Sequence, residues 1–254
     1  MPESTETPSG PLPHLLILGA TSDIAQSLAV AYARLGHAQT LASRDCQRLQ
    51  PLADRLVREF GHAVNLVEFD ALRFDSHGDF YRGLPSVPDI VICVFGYLGD
   101  HDRALADFDE CRRIIESNYV GVVSILNVVA EDMRRRQRGT IIGVGSVAGD
   151  RGRRANYLYG SAKAGMAAYL SGLRQRLVRD GVHVMTVKPG FVRTRMTAGR
   201  DLPARLTAEP DQVAADIVRA QRKGRDVVYT LWMWRYVMLI IRSLPETLFK
   251  RTNL

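Results

Sequence analysis

Short apolar runs alternate along the chain with stretches in which apolar residues recur every three or four positions. The first run, LLILGA at 15–20, ends in a glycine turn, and Ile24, Leu28, Tyr32 and Leu35 then follow at helical spacing. A continuous apolar run of this length predicts a strand buried on both faces, whereas the wider spacing predicts an amphipathic helix. The pattern therefore predicts a strand, a turn and a helix as the first repeating unit.

The same alternation continues to residue 230. Strands are predicted at 15–20, 38–43, 64–69, 89–96, 140–146, 182–190 and 226–230. Helices are predicted at 23–35, 49–60, 102–136, 156–179 and 211–223. The long third helix should bury Leu105, Phe108, Ile114 and Ile115. We therefore predict an α/β fold of the Rossmann type, a doubly wound parallel sheet of about seven strands with helices on both faces.

The two ends of the chain differ from this central domain, 14–230. Residues 1–13 are polar and rich in proline, without the basic start and apolar core of a signal peptide, so a disordered lead-in is predicted. Residues 231–254 form an amphipathic segment whose apolar run is too short, and too interrupted by Arg235, to span a bilayer. Its two Trp, its Tyr and its flanking basic residues suit a membrane interface. A helix packed on the domain or on a partner subunit explains the segment equally well.

Composition limits the compartment and the partners. The 254 residues carry a net charge of +7, with 46% hydrophobic and 24% charged residues, as in ordinary globular proteins. Cys46, Cys93 and Cys111 show no metal-binding spacing, so we expect no metal site, no disulfide framework and a cytoplasmic location. The positive charge suits phosphates, acidic lipids or nucleic acid, but no nucleic-acid recognition motif is present.

The candidate chemistry lies in SVAGDRGRRANYLYGSAK, residues 146–163. Tyr159 and Lys163 are four residues apart, which places them on one face of a helix. An ammonium near a phenol should lower the phenol pKa toward neutrality and make Tyr159 a proton donor and acceptor, while Ser146 holds a substrate oxygen. A chance pairing of Tyr and Lys is the alternative.

The turn GATSDIA, residues 19–25, has the strand–glycine–helix context of a dinucleotide site. The backbone N–H groups at the start of such a helix bind a pyrophosphate. Asp23 would repel that phosphate unless its side chain turns away, and it could instead cap the helix.

From residue 14 onward the chain resembles the short-chain dehydrogenase/reductase family. Gly19 keeps the first glycine of the family's TGxxxGxG turn, the family's NNAG appears as CVFG at 93–96, and KPGFVRT at 188–194 matches its PGxxxT segment. The resemblance implies an NAD(P)-dependent enzyme acting between CH–OH and C=O. Its implied catalytic set is Asn118, Ser146, Tyr159 and Lys163, where Asn118 holds a proton-relay water or, alternatively, satisfies a local helix bend. Its implied cofactor-binding residues are Gly19, Thr21, Ser22, Asp23, Ile24, Ser43, Arg44, Asp70, Ala71, Phe95, Gly96, Tyr159, Lys163, Pro189, Gly190, Val192 and Thr194.

Arg44, at the end of the second predicted strand, bears on which nicotinamide cofactor binds. An arginine at this place can pair with the 2′-phosphate of NADP(H), whereas an acidic residue would bind the ribose of NAD(H). We therefore favour NADP(H). Asp45 keeps NAD(H) open, and Arg44 could also be a solvated residue at a helix start.

Arginines flank the predicted substrate site on two segments. The candidates for binding a substrate phosphate are Arg151, Arg153, Arg154, Arg193 and Arg195. A solvated basic loop is the alternative.

RRANYLYGSAKAG, KPGFVRTRM and RYVMLIIRSLP resemble one group within the family, the decaprenylphosphoryl-2-keto-pentose reductases. That resemblance implies reduction of the 2-keto group of a polyprenyl-phosphoryl pentose, within an epimerisation of ribose to arabinose in which a flavin oxidase makes the ketone. The substrate would be anionic and lipid-linked, which would explain both the arginines and the amphipathic C-terminal segment. If that segment meets a membrane, the enzyme is peripheral on it. The resemblance to the short-chain dehydrogenase/reductase family implies a homodimer or homotetramer built on the helices near residue 110 and after Tyr159. The alternatives are a reductase of a steroid, a sphingoid ketone or an acyl thioester, and a non-catalytic cofactor-binding regulator.

Overall fold

In the computed structural model, which describes residues 13–252, seven parallel strands form the central sheet. Residues 1–12 of the predicted lead-in lie outside the described residues. The strands are β1 (Leu15–Leu18), β2 (Gln39–Ser43), β3 (Val64–Glu68), β4 (Ile90–Cys93), β5 (Gly139–Val144), β6 (Val182–Pro189), β7 (Phe191–Val192), β8 (Thr207–Ala208) and β9 (Val227–Thr230). The helices are α1 (Asp23–Ala33), α2 (Gln50–Phe60), α3 (His77–Arg82), α4 (His101–Ala106), α5 (Phe108–Ile115), α6 (Gly121–Arg136), α7 (Tyr157–Leu177), α8 (Pro210–Arg222), α9 (Met233–Ser243) and α10 (Glu246–Phe249).

The strand order places a crevice at the carboxyl end of β1. The order is β3-β2-β1-β4-β5-β6-β9, and β7 pairs only with β8 in a small separate sheet. From β1 the chain adds β2 and β3 on one side, and it then returns to place β4 on the other side of β1. Ligands of doubly wound folds bind at such a switch point. The predicted α/β fold is confirmed.

Alternate residues of the buried strands supply two cores, one on each face of the sheet. In β1, Leu15 and Ile17 pack with α1, α2 and α8, whereas Leu16 and Leu18 pack with α3, α6 and α7. All four side chains are fully buried, and each such burial stabilises the fold by roughly 1.5–3 kcal/mol. Burial on both faces explains why these strands appear in the sequence as continuous apolar runs.

The predicted single helix over 102–136 is wrong in its continuity. Asp107 has an extended backbone, ends α4, and caps α5 by accepting a hydrogen bond from the Asp109 N–H. Leu105 and Phe108, predicted to be inside, are exposed, while Ile114 is buried as predicted and Ile115 is partly buried. A short acidic side chain that bonds the backbone interrupts a helix that hydrophobic spacing alone would continue.

The stretch Phe108–Arg136 is long and apolar enough to cross a membrane by length and composition alone. Half of its most apolar window is buried. Val122, Ile125, Leu126 and Val129 of α6 belong to the core beneath the sheet. The stretch is therefore a core helix of this fold.

The C-terminal segment packs on the domain through one face of α9. Trp234, Met238 and Ile241 are buried in a cluster with Val147, and Phe191 packs against the same cluster. This contact is the packed-helix alternative of the sequence analysis. The opposite face of α9 stays exposed.

Candidate active site

A cavity of about 470 Å³ lies over the carboxyl ends of the central strands. Every residue that the family resemblance assigned to the cofactor lines this cavity, as do Ser146, Tyr159 and Lys163. Gly19 and Thr194, which are 175 positions apart in the sequence, thus line the same cavity. Their individual roles stay predictions, but the fold brings them together.

The first turn allows a close approach of two backbones. Gly19 has φ +86°, and a Cβ at this position would lie 2.7 Å from the backbone nitrogen of Phe95. Only glycine fits here, both because of the positive φ and because of the contact. Ser22 then caps α1 by accepting a hydrogen bond from the Ala25 N–H at 3.1 Å. Ser22, Asp23 and Ile24 line the cavity, so the N-terminus of α1, a helix end of the kind that binds anions, borders it.

Asp23 is paired with the segment that closes the other side of the cavity. Its carboxylate accepts hydrogen bonds from the Arg195 N–H at 2.7 Å and from Arg195 Nε at 2.8 Å. Arg195 also donates to the Thr21 carbonyl. The arginine neutralises the charge that would repel a phosphate. We call this Asp23–Arg195 contact the latch.

The residues present fit a nicotinamide dinucleotide. The N-terminus of α1 offers a phosphate site, and exposed Arg44 lines the cavity next to Ser43 at the end of β2. Asp70, after β3, accepts a hydrogen bond from the Leu72 N–H at 3.0 Å and lines the same wall. Ser146, after β5, and Tyr159 and Lys163, on α7, line the same cavity. The cavity thus holds anion-binding groups and proton-transfer groups in one space.

Ser146 follows β5 and is fixed by its own loop. Its Oγ accepts a hydrogen bond from the Ala148 N–H at 3.0 Å. With that lone pair engaged, the hydroxyl proton remains available for a substrate oxygen. Asp150 holds the rest of the loop, since its carboxylate binds Lys188 Nζ at 2.5 Å and accepts from the Tyr229 hydroxyl at 2.7 Å.

Tyr159 and Lys163 lie on one face of α7, as their spacing predicts. Lys163 Nζ is 5.8 Å from the Tyr159 ring centroid and donates to the Val144 carbonyl at 3.3 Å. Burial raises the pKa of Tyr159 to about 12, and the Ser146 hydroxyl opposes this shift. The expectation that Lys163 brings this pKa toward neutrality is therefore wrong for the structure described. Burial instead lowers the pKa of Lys163 to about 8.

Asn118 does not line the cavity but lies directly behind it. It is fully buried in a π-helical turn, Glu116–Val120, between α5 and α6. Its amide donates to the Ile114 carbonyl at 2.8 Å and to the Tyr97 carbonyl at 2.5 Å, and its oxygen accepts from the Tyr97 N–H. The side chain thus satisfies the helix irregularity and positions the loop after β4. A relay role stays a prediction.

The five candidate phosphate arginines fall in different places. Arg151 points away from the cavity, donates to the Ile241 and Leu244 carbonyls at 2.6 Å, and stacks on Phe249. Arg154 lines a neighbouring polar groove, and Arg193 pairs with Glu209 at 2.8 Å outside the cavity. The prediction for Arg151 is therefore wrong, because its guanidinium is used to hold the end of α9.

Arg153 and Arg195 line the cavity, and Arg195 is engaged in the latch. Arg153 is partly buried, and its Nε has no hydrogen-bond partner among the described residues. The Asn156 side-chain oxygen is likewise buried and unpaired within residues 13–252. Both residues line the cavity beside the loop that carries Ser146. A buried polar group without a partner is costly, so this corner is suited to a polar ligand.

The polar residues of the cavity that the sequence did not indicate include Arg113, Asn156 and Arg200. The Arg113 guanidinium lies 4.4 Å from the Tyr97 ring centroid, and Arg200 lines both the cavity and the neighbouring groove. Asn156 sits within the loop already suspected, so a polar residue three before Tyr159 was a usable signal. Arg113 and Arg200 carry no sequence signal, because only the tertiary fold brings them there.

Comparison with known proteins agrees with this geometry. Residues 13–203 match the short chain dehydrogenase family. An uncharacterized oxidoreductase of Mycobacterium tuberculosis is 38% identical over 240 residues, covering 93% of this chain and 96% of that protein. An uncharacterized oxidoreductase of Streptomyces coelicolor is also 38% identical, over 249 residues, covering 96% and 97%.

Solved structures share the fold over almost the whole chain. The short-chain dehydrogenase from Sphingobium yanoikuyae in complex with NADPH has a TM-score of 0.79 at 26% identity, covering 92% of this chain and 97% of that one. A bulky-bulky ketone specific alcohol dehydrogenase from Comamonas testosteroni has a TM-score of 0.79 at 21% identity, covering 93% and 96%. The second likeness shows the fold alone. The chain belongs to the short-chain dehydrogenase family and is an NAD(P)-dependent oxidoreductase.

Proposed function

We propose that the protein reduces the 2-keto group of a polyprenyl-phosphoryl pentose with NADPH, the ketone being supplied by a flavin oxidase. One observation carries the anionic part of this proposal. Arg153 lies partly buried on the cavity wall with its Nε unpaired among the described residues. Burial lowers the pKa of Arg153, but Asp150 opposes this, and an arginine so placed stays charged at neutral pH. It is suited to pairing with a phosphate within the site.

The chain's own residues supply the proton and its orientation. A bound reduced nicotinamide supplies the hydride. Tyr159, whose pKa of about 12 keeps it protonated at neutral pH, donates its phenolic proton to the forming alkoxide oxygen. Ser146 donates a hydrogen bond to the same oxygen, because its acceptor side already holds the Ala148 N–H. Lys163 places a cation beneath the phenol and favours the phenolate that remains.

Apolar residues line the rest of the cavity and favour a substrate with a hydrocarbon part. Leu98, Val147, Phe191 and Met196 give an apolar wall on the substrate side. Phe95 stands at the alanine of the family's NNAG and adds to this wall. A substrate that is apolar along one side and anionic at one point fits this wall together with Arg153. A polyprenyl phosphate has that chemistry.

Turnover of defined substrates tests the proposal. The purified protein should reduce a polyprenyl-phosphoryl 2-keto-pentose. Arg153→Leu should raise KM for this substrate about 10- to 100-fold, because the variant loses a charge-assisted hydrogen bond to the phosphate. The same variant should reduce a neutral bulky ketone as well as wild type does. Arg193→Leu, an exposed arginine outside the cavity, is the control. Equal turnover of the phosphorylated ketone by wild type and Arg153→Leu would refute the phosphate contact.

The preference for NADP(H) rests on Arg44. Arg44 lines the cavity at the end of β2, whereas Asp45 does not, which favours a 2′-phosphate over a bare ribose. Arg44→Ala should raise KM for NADPH at least tenfold and leave KM for NADH nearly unchanged. A parallel loss with both cofactors would mean that Arg44 acts only on the fold.

Two other functions remain as alternatives. A reductase of another bulky carbonyl, such as a steroid, a sphingoid ketone or an acyl thioester, would use the same apolar wall without needing Arg153. A non-catalytic cofactor-binding regulator would tolerate Tyr159→Phe. If cells carrying Tyr159→Phe keep full function while the variant still binds cofactor, the regulator is favoured over the enzyme.

A further inference from the structure

The outward side of α9 carries a stripe of large apolar side chains that the fold leaves in solvent. Trp232 is 71% exposed, Tyr236 56%, Leu239 61% and Ile240 65%. Trp232, just before α9, and the three helical residues follow the spacing of zero, four, seven and eight that places side chains on one helical face. We call this stripe the outer α9 face. Contiguous exposed apolar groups of this size mark an interaction surface.

The fold itself holds this face outward. On the opposite side of α9, Trp234 is 3% exposed and Met238 0%. Arg151 holds the end of the helix by donating to the Ile241 and Leu244 carbonyls and pairing with Glu246. The helix therefore cannot turn its exposed side inward without breaking these contacts.

Charge decides what can cover the outer α9 face. Arg235 and Arg242 lie along one edge of the face, and Lys250 and Arg251 follow α10. All four are exposed, and the nearby Glu246 is already paired with Arg151. Two copies packed through this face about a twofold axis would bring these cations toward one another. An anionic surface would pair with them instead.

We propose that the outer α9 face binds the surface of an anionic phospholipid membrane. Trp232 and Tyr236 have the apolar body and polar edge that favour the headgroup region, Leu239 and Ile240 reach the acyl boundary, and the flanking cations meet the lipid phosphates. The helix lies in the interface and does not span the bilayer.

The inner side of the same helix touches the wall of the active-site cavity. Trp234 packs edge-to-face on Phe191 at 5.2 Å between ring centroids, and its indole donates to the Leu206 carbonyl at 3.0 Å. Phe191 and the neighbouring Gly190 line the cavity. Membrane contact would thus place the substrate wall one helix thickness from the lipid. The docking itself does not depend on which ketone is reduced.

Binding to vesicles tests the proposal. The full chain should co-sediment with phosphatidylglycerol vesicles at low salt, bind phosphatidylcholine vesicles at least tenfold more weakly, and lose binding as salt rises. In a Trp234→Phe variant, Trp232 is the single reporter, and its emission should shift to the blue on binding. Trp232→Ser/Ile240→Ser should weaken vesicle binding about tenfold or more, and Arg235→Gln/Lys250→Gln should weaken it on anionic vesicles alone.

Matched substitutions elsewhere on the surface test whether vesicle binding is specific to the outer α9 face or common to exposed apolar residues. Val178 and Val87 are 65% and 59% exposed, so Val178→Ser/Val87→Ser removes exposed apolar surface outside α9 and should leave vesicle binding unchanged. Trp232→Ser/Ile240→Ser should still reduce a water-soluble ketone at the wild-type rate. A loss of vesicle binding in this variant can then be distinguished from a loss of catalysis. Absence of vesicle binding would overturn the proposal. So would conversion of a dimer to a monomer by Trp232→Ser/Ile240→Ser, because that result would make the face a subunit interface.

Discussion

Lys163 is a cation in a place that disfavours charge. It is 3% exposed, and burial lowers its pKa from 10.5 to about 8. This difference in pKa between the unfolded and the folded chain means that the buried charge lowers the free energy of unfolding by roughly 3 kcal/mol at neutral pH. Functional sites commonly hold residues that the fold would be more stable without.

We predict that Lys163→Met raises stability and abolishes turnover. At pH 7 the variant should unfold about 4–8 °C above wild type, because roughly 2 kcal/mol of unfavourable burial is removed. Between pH 8 and 10.5 the unfolded chain holds the lysine proton more than the folded chain does, so wild type gains stability relative to the variant as pH rises. Thermal unfolding at pH 7 and pH 9.5 measures both effects.

The matched control is Lys223→Met at an exposed lysine, which should change neither quantity. A Lys163→Met protein less stable than wild type at pH 7 would contradict the account of the buried charge.

Gly190 is required by an indole ring rather than by its backbone angle. A Cβ at this position would lie 1.8 Å from Trp234 Nε1. Gly190→Ala should therefore lower the free energy of unfolding by about 3 kcal/mol, measured by chemical denaturation. Gly172 lies exposed in α7 with nothing within 4 Å of an added Cβ, so Gly172→Ala should stabilise by roughly 0.5–1 kcal/mol. Equal stability of Gly190→Ala and wild type would mean that α9 does not pack as described.

At the scale of residues, the sequence predicted the groups whose chemistry depends on local spacing. Tyr159 and Lys163 lie on one helix, so their juxtaposition follows from helical geometry, whereas Ser146 follows β5 and reaches the same cavity through the fold. Arg113 and Arg200 reach the same cavity from segments with no periodic or motif signal. The predicted pKa shift of Tyr159 was wrong because burial, which spacing does not reveal, raises the pKa of this phenol.

At the scale of elements, the latch joins α1 to the segment between β7 and β8. Asp23 stands where the family places its second glycine, and Arg195 fills the space and balances the charge. The side chains are 26% and 56% exposed, so their coupling should be about 1 kcal/mol.

A double-mutant cycle tests the latch. Asp23→Asn and Arg195→Gln should each speed proteolytic cleavage of the segment 193–206 severalfold, because each releases the same contact. The double variant should be cleaved no faster than the faster single variant. Arg205→Gln, an exposed arginine in the same segment, is the control. Additive effects of Asp23→Asn and Arg195→Gln would show that the two side chains act separately.

Elements were predicted well where a strand is buried on both faces of the sheet. They were predicted less well where a polar side chain bonds to the backbone and interrupts a helix. The strands of the main sheet appear within about three residues of their predicted bounds, since each is an uninterrupted apolar run. The break at Asp107 and the π-helical turn at Asn118 follow from hydrogen bonds between side chain and backbone. Hydrophobic spacing contains no information about such bonds.

For the whole molecule, we predict a homodimer or homotetramer. Tyr119 and Val120, at the π-helical turn beside α7, are 36% and 37% exposed, and the Tyr119 ring lies near Gly165 of that helix. Sedimentation at micromolar concentration should show a dimer or tetramer, and Val120→Asp should shift it toward monomer by burying a charge in the interface. A wild-type protein that sediments only as a monomer would contradict this prediction. The outer α9 face is separate from this surface, so Trp232→Ser should not change the sedimentation.

The contact of Trp234 with Phe191 and Leu206 also orders events during synthesis. Every residue that lines the cavity lies at or before Arg200, whereas α9, which supports the wall by packing Trp234 on Phe191, follows the last strand of the sheet. Domains made on the ribosome gain their N-terminal parts first. A nascent chain that stops before α9 therefore has every residue that lines the cavity but not the helix that supports Phe191. Frameshifts or tags near α9 should reduce turnover of the ketone more than they reduce cofactor binding.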